Sequence, residues 1–247
     1  MSLTEDVGHD IVRAPLYGGE HLRQIGEQRL LLASIIVTSA NGAGTLESAL
    51  YSALHQSIPT ADYEVLLVDD GSNDRTSEIA GIYRKLFGNF RYLRLPVSRG
   101  QAASFNCGLE ALQGRYFTML SSSDALDREM LAQSTAHAEA NETEFVFCDR
   151  YEVSLSEETH RHVEIESFST SDLIVEGVLM KTSIARDIGG YRALGGAAKD
   201  FLDRYLAASG CTPVRIPRPL YYQGLPPTQS SDGLNGNGRM WRRSNSL

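Results

Sequence analysis

An α/β fold, doubly wound about a mostly parallel sheet, is what this sequence predicts, and three observations carry the prediction. Apolar, β-branched runs alternate along the chain with stretches whose apolar residues recur every three to four positions. The connections between them are short, and parallel neighbours require crossover helices of this kind. The 247 residues, 42% of them hydrophobic, suffice for one large core.

The elements follow in order. Residues 1–29 form a polar extension that admits a helix over 19–29. Residues 31–38 are a continuous apolar run, the mark of a strand covered on both faces. Residues 45–56 carry Leu46, Ala49, Leu50, Ala53 and Leu54 as a helical stripe, with Thr45 as its N-cap. A second buried strand covers 65–68, and a helix over 74–87 sets Ile79, Ile82, Tyr83 and Leu86 on one side. A third strand covers 90–95, followed by a helix over 101–112 closed by Gly114. A fourth strand over 116–120, a helix over 126–140 and a fifth strand over 145–148 complete the alternation. The tail, 226–247, is rich in Gly, Asn and Ser and reads as loose.

Composition removes several function classes. A net charge of −8 argues against a nucleic-acid groove. The three cysteines, Cys107, Cys148 and Cys211, have no metal-ligand spacing and suit a reducing, cytoplasmic setting. The longest apolar run, 30–37, is too short to span a membrane and has no signal-peptide layout. Of the six histidines only His160 and His162 are close, without an evident third ligand, and an exposed loop or edge strand accounts for them.

Ligands of doubly wound sheets bind beyond the carboxyl ends of the strands. Three such ends are polar: 38–41, the adjacent acids Asp69 and Asp70, and 121–124. The plain alternative for the acids is one capping the next turn and one in solvent. "NGAGTLE" after the first strand begins like a dinucleotide fingerprint. Its third glycine position, however, holds Glu47, whose charge sits badly beside a pyrophosphate.

The stretches "SIIVTSANGAGTLESALYSALHQ", "YEVLLVDDGSNDRT", "RGQAASFNCGLEALQGRYFTML" and "GGYRALGGAAKDFLDRYLAA" occur in that order. Together they resemble an inverting family 2 glycosyltransferase of the GT-A fold. The resemblance implies one domain over 30–225, with 30–125 binding nucleotide and 126–225 shaping an acceptor site. It implies transfer of a sugar from a nucleotide-diphosphate donor, uridine-linked, to the hydroxyl of a glycan or lipid-linked acceptor, in surface polysaccharide or glycoconjugate assembly. It also implies Mg²⁺ or Mn²⁺ at a D-x-D motif. Carried over, Thr38 and Asp70 contact base and ribose, with Ser39, Asn41 and Asp69 beside them. Arg99 and Gly100 lie near base and diphosphate. Asp200 is the general base, with Lys199 as its neighbour and Asp203 as runner-up. An acid in a first helical turn is equally an ordinary dipole feature.

The chain departs from the family pattern at four places. The D-x-D falls on Ser121, Ser122 and Ser123, so that Ser123 is left to contact the donor and Asp124 alone to hold a metal. Read without the resemblance, the serines are turn residues and Asp124 caps the next helix. The base-stacking aromatic matches Ala40, and a late Arg and His match Gln223 and Leu225. These departures open an alternative: a catalytically degenerate domain that binds a nucleotide or a protein.

Overall fold

The computed structural model describes residues 31–154, 159–165, 175–192 and 197–225. The helix expected over 19–29 and the tail over 226–247 lie outside the described residues. Strands β1 (Leu31–Ser39), β2 (Tyr63–Asp69), β3 (Phe90–Arg94) and β4 (Gly114–Ser121) pair in parallel in the order β3-β2-β1-β4. Every residue of β2 is buried, as its apolar run requires of a strand covered on both faces. Helices α1 (Leu46–Leu54), α2 (Thr76–Leu86) and α4 (Met130–Ala140) carry residues of one apolar cluster, which the odd positions Ala33, Ile35 and Val37 of β1 enter. Helices α3 (Gln101–Ala111), α5 (Thr182–Asp187) and α6 (Ala197–Ser209) carry residues of the other, reached by Ile36, Leu66 and Phe117. The period-2 alternation of strand side chains thus feeds two cores.

Beyond β4 the sheet becomes mixed. Strand β8 (Leu179–Lys181) runs antiparallel to both β4 and β6 (Phe145–Ser154), while β9 (Val214–Leu225) runs parallel to β6. Strand β7 (Thr159–Val163) forms an antiparallel pair with β6, and the two-residue β5 (Ala125–Leu126) is antiparallel to β9. Because β6 parallels β4 through β8, the far ends of β6 and β9 lie on the side where β1, β2 and β4 terminate. His160 and His162 lie on exposed β7, as expected of an edge strand.

Three local expectations are corrected. Thr45 occupies the N-cap of α1 but makes no side-chain cap bond; its hydroxyl donates to Gly42 O at 3.4 Å. Gly114 opens β4 and does not close α3, which ends at an extended Leu112. Its lack of a side chain matters there, because a Cβ would lie 2.5 Å from the backbone of Ala33. The α2 stripe is used in part: Ile79 is buried and Tyr83 packs on the core, whereas Ile82 is 55% and Leu86 69% exposed. Tyr83, in the last turn, still packs against Phe90 of β3, so Ile82 and Leu86 lie on the flank of the helix and off its covered face.

Candidate functional site

The carboxyl ends of β2, β1 and β4 bring four polar segments together, and hydrogen bonds between the segments build the rim. The loop after β1 is fastened to the loop after β2 at four points. Asp70 N–H donates to Ser39 O at 2.8 Å, and Asn41 N–H to Ser72 Oγ at 2.9 Å. Asn73 N–H donates to Asn41 Oδ1 and Ala43 N–H to Asp74 Oδ2, both at 2.9 Å. Asn41 takes a left-handed φ of 56°, a conformation in which Asn is enriched among non-glycine residues. The turn after β4 joins them, with Ser122 N–H donating to Thr38 O at 3.0 Å.

The adjacent acids turn opposite ways, as consecutive strand residues must. Asp69 is fully buried. Its Oδ1 accepts from Ser72 N–H at 2.8 Å and its Oδ2 from Tyr92 Oη at 2.7 Å, with Arg94 Nε 3.7 Å away. Burial and the Asp69 carboxylate push the Tyr92 phenol up to about 12, which keeps it a donor. The expected ligand contact of Asp69 is therefore corrected: its carboxylate has no exposed surface and fixes the turn instead.

Asp70 reaches the loop before α3. Its Oδ1 accepts from Arg99 N–H at 2.7 Å, and its Oδ2 from Ser98 Oγ at 2.7 Å and Gly100 N–H at 2.9 Å. Burial works against its ionisation, but these donors together with Ser104 outweigh it and hold the carboxyl below its ordinary value. A carboxylate has roughly four acceptor positions, so most of its capacity lies inside the protein. Gly100, at a φ of 84°, makes the bend that aims two successive N–H groups at one carboxylate. The Arg99 side chain is exposed at this rim.

The turn over 121–124 is a chain of hydroxyls ending in a buried acid. Ser121 Oγ and Ser123 Oγ are 2.9 Å apart, and Ser123 Oγ donates to Asp124 Oδ1 at 2.9 Å. Gly224 N–H donates to the same oxygen at 2.9 Å, and Tyr221 Oη donates to Oδ2. Burial pushes the Asp124 carboxyl up against the lowering pull of Tyr221, Gly224 and Ser123. Asp124 thus ties β9 to the rim across 97 residues of sequence. It does not cap α4; Asp127 Oδ1 accepts from Glu129 N–H just ahead of that helix.

Asp200 lies in the first turn of α6. Its Oδ2 accepts from Arg204 Nε at 2.8 Å and its Oδ1 lies 3.5 Å from Arg192 Nη1. Arg204 also donates to Ile188 O and Gly190 O, and Asn106 of α3 clasps both backbone groups of Tyr191. Asp200 is thereby fixed to a segment that is fixed to α3. Lys199, its sequence neighbour, pairs with Asp203 at 2.6 Å. Gln223 accepts from Arg150 Nε at 3.1 Å, and Ala40 is exposed.

Sequence reasoning missed Glu176 and Tyr221. Glu176 accepts from Gln101 Nε2 at 3.1 Å, which links the segment before β8 to the first residue of α3. Burial pushes its carboxyl up, and the charge of Asp124 adds to that. A lone acid in "VEGVLM" is the only local signal for Glu176. Tyr221 carries none, since its partner lies in another element.

Comparison with known proteins agrees with this architecture. The family described as glycosyl transferase family 2 matches residues 34–194. A Bacillus subtilis (strain 168) protein named uncharacterized glycosyltransferase EpsJ is 31% identical over 136 residues, covering 55% of this chain and 39% of that one. The poly(ribitol-phosphate) beta-N-acetylglucosaminyltransferase TarP of Staphylococcus aureus (strain N315) is 28% identical over 114 residues, covering 46% of this chain and 35% of TarP. The chain thus matches less than half the length of these curated relatives. The crystal structure of S. aureus TarS 1-349 in complex with UDP-GlcNAc superposes with a TM-score of 0.70 at 17% identity, covering 83% of this chain and 62% of TarS. That likeness shows a common fold, the GT-A fold.

Proposed function

This chain belongs to glycosyl transferase family 2, and from that membership we propose that it moves a sugar from a uridine diphosphate donor to an acceptor hydroxyl, in the assembly of a surface glycan. One observation carries the reading. Four loops, each contributing hydroxyls, backbone N–H groups or charge, are fastened into one rim at the carboxyl ends of three adjacent parallel strands. TarS, of the same fold, has UDP-GlcNAc in its crystal structure, and TarP is named for transfer to a poly(ribitol-phosphate). Both support a sugar–nucleotide donor and a surface polymer as acceptor class.

In this reading Thr38, Ser39 and Asn41 line the nucleoside side. Asp70 acts chiefly by shaping the loop of Arg99 and Gly100, and offers its remaining acceptor position to the base. The acceptor hydroxyl loses its proton to Asp200 and attacks the anomeric carbon. The new C–O bond forms as the bond from that carbon to the diphosphate oxygen breaks, and the diphosphate leaves with the electron pair. Arg192 and Arg204 orient the Asp200 carboxylate.

The test is calorimetry with UDP, GDP and ADP, followed by a hydrolysis screen over nucleotide sugars. UDP should bind most tightly, and one uridine-linked sugar should turn over. Equal affinity for the three diphosphates would remove the uridine assignment. The serine-substituted turn favours a second reading, a nucleotide-binding domain without turnover. Binding without hydrolysis or transfer of any donor would establish it.

A further inference from the structure

The D-x-D motif of the family implies a divalent cation, and the side chains at that place test the implication. A hard cation wants ionised oxygen ligands, usually one or two carboxylates beside phosphate and water. Ser121, Ser122 and Ser123 offer neutral hydroxyls. The one acid of the turn, Asp124, is 8% exposed, and both its oxygens accept from Tyr221, Gly224 and Ser123. Turning it outward would strip the hydroxyl of a tyrosine that is 1% exposed of its acceptor. Glu176, the neighbouring acid, accepts from Gln101. Burial and the charge of Asp124 both disfavour its ionised form. Among the described residues, no three His, Cys, Asp or Glu side chains group to hold a metal ion. These residues do not fit the cation.

In place of carboxylates the turn presents hydroxyls on both faces of the sheet. Ser39 is 3% exposed, and its Oγ has no hydrogen-bond partner, an unusual state for a buried hydroxyl. It stands beside Gly42, whose missing side chain lets the two loops close together. A Cβ there would lie 2.7 Å from Ser39 Oγ and collide with Ser122 Oγ. Two hydroxyls from different strand ends thus converge under one backbone turn. Ser121, one residue before Ser122, turns by strand alternation to the opposite face of the sheet, where its Oγ meets Ser123 Oγ. We infer that this chain binds the diphosphate of its donor without a divalent cation, at a turn where the hydroxyls of Ser121 and Ser123 stand in the places of the metal carboxylates. The inference rests on the nucleotide-donor reading above and adds how the phosphates are held.

The experiment is UDP and UMP calorimetry on the full chain, in excess EDTA and then with Mn²⁺. UDP affinity should agree within about threefold between the two conditions, because the carboxylate of the turn, Asp124, is committed to buried donors. The Ser121→Ala and Ser123→Ala variants should each weaken UDP by about 2–12-fold, the span of one hydrogen bond, and should narrow the gap between UDP and UMP. Thermal melts of both variants confirm that they fold. The Ser121→Asp/Ser123→Asp double variant should acquire Mn²⁺ dependence. Wild-type UDP binding that tightens tenfold or more with Mn²⁺ overturns the inference and leaves the donor reading intact. Unchanged UDP affinity in both alanine variants overturns the hydroxyl assignment. Absence of any nucleotide binding, with or without metal, overturns both.

Discussion

Tyr221→Phe removes one oxygen from a fully enclosed position and changes almost nothing else. The ring remains, so no cavity opens and no packing is lost. What goes is the donor to Asp124 Oδ2, and the carboxylate then keeps only Gly224 N–H and Ser123 Oγ, both on Oδ1. A buried charged acceptor left without its partner costs about 1–3 kcal/mol. For a domain of this size that amounts to about 2–4 °C of melting temperature per kcal/mol. The pH dependence supplies a second readout. Burial raises the Asp124 carboxyl above its ordinary value, against the lowering pull of Tyr221. An acid raised in the folded state contributes stability that is present below its unfolded value and lost as pH rises through the folded one. Removing Tyr221 Oη raises it further. The stability gap between wild type and Tyr221→Phe should therefore be small at low pH and widen as pH rises through the raised folded value. Urea unfolding at a series of pH values measures it. A gap that stays under about 0.3 kcal/mol at neutral pH, or that narrows as pH rises, refutes the account of Asp124 as an anchored internal acceptor.

Three further outcomes follow from the same geometry. Asp70→Asn replaces an acceptor of three donors by a half-donor and should destabilise by about 1.5–3 kcal/mol at neutral pH. Because Asp70 is held below its ordinary value, its contribution is present above the unfolded value and lost as pH falls through the folded one. The difference from wild type should thus close in acid, and a constant gap in pH-dependent unfolding would count against it. Asp200→Asn should spare UDP affinity and lower turnover of a confirmed donor by about 10²–10⁴-fold; full turnover would move the base to Asp203. Gly42→Ala forces a Cβ against Ser122 and should cost about 1–3 kcal/mol of stability and weaken UDP, read by melting and calorimetry. Wild-type behaviour would show that the two loops do not close on each other as tightly as described.

The alternation of strands and helices was legible because it is local: a buried run such as β2 needs no knowledge of its neighbours to be recognised. The position of the rim was legible for the same reason, since the acids and serines follow directly on the strands. The mixed half of the sheet was not, because the parallel pairing of β6 with β9 joins residues far apart in sequence and leaves no periodic mark. Nor was the exposure of Ile82 and Leu86, which depends on how α2 is rotated about its axis over β3. Individual roles were hidden more deeply. Asp69 and Asp70 are adjacent and chemically identical, yet one locks Tyr92 and Ser72 in the interior while the other organises the approach to α3. Strand alternation foretells that they diverge, but the partners decide what each does. Asp124 makes the same point across a longer distance: beside three serines it reads as the remnant of a metal motif, and only Tyr221 and Gly224 reveal an acceptor facing inward. The distinction has a chemical consequence. A carboxylate committed to buried donors cannot also answer a cation at the surface without releasing them. The turn can therefore keep its acid and still present only hydroxyls to whatever binds at the rim.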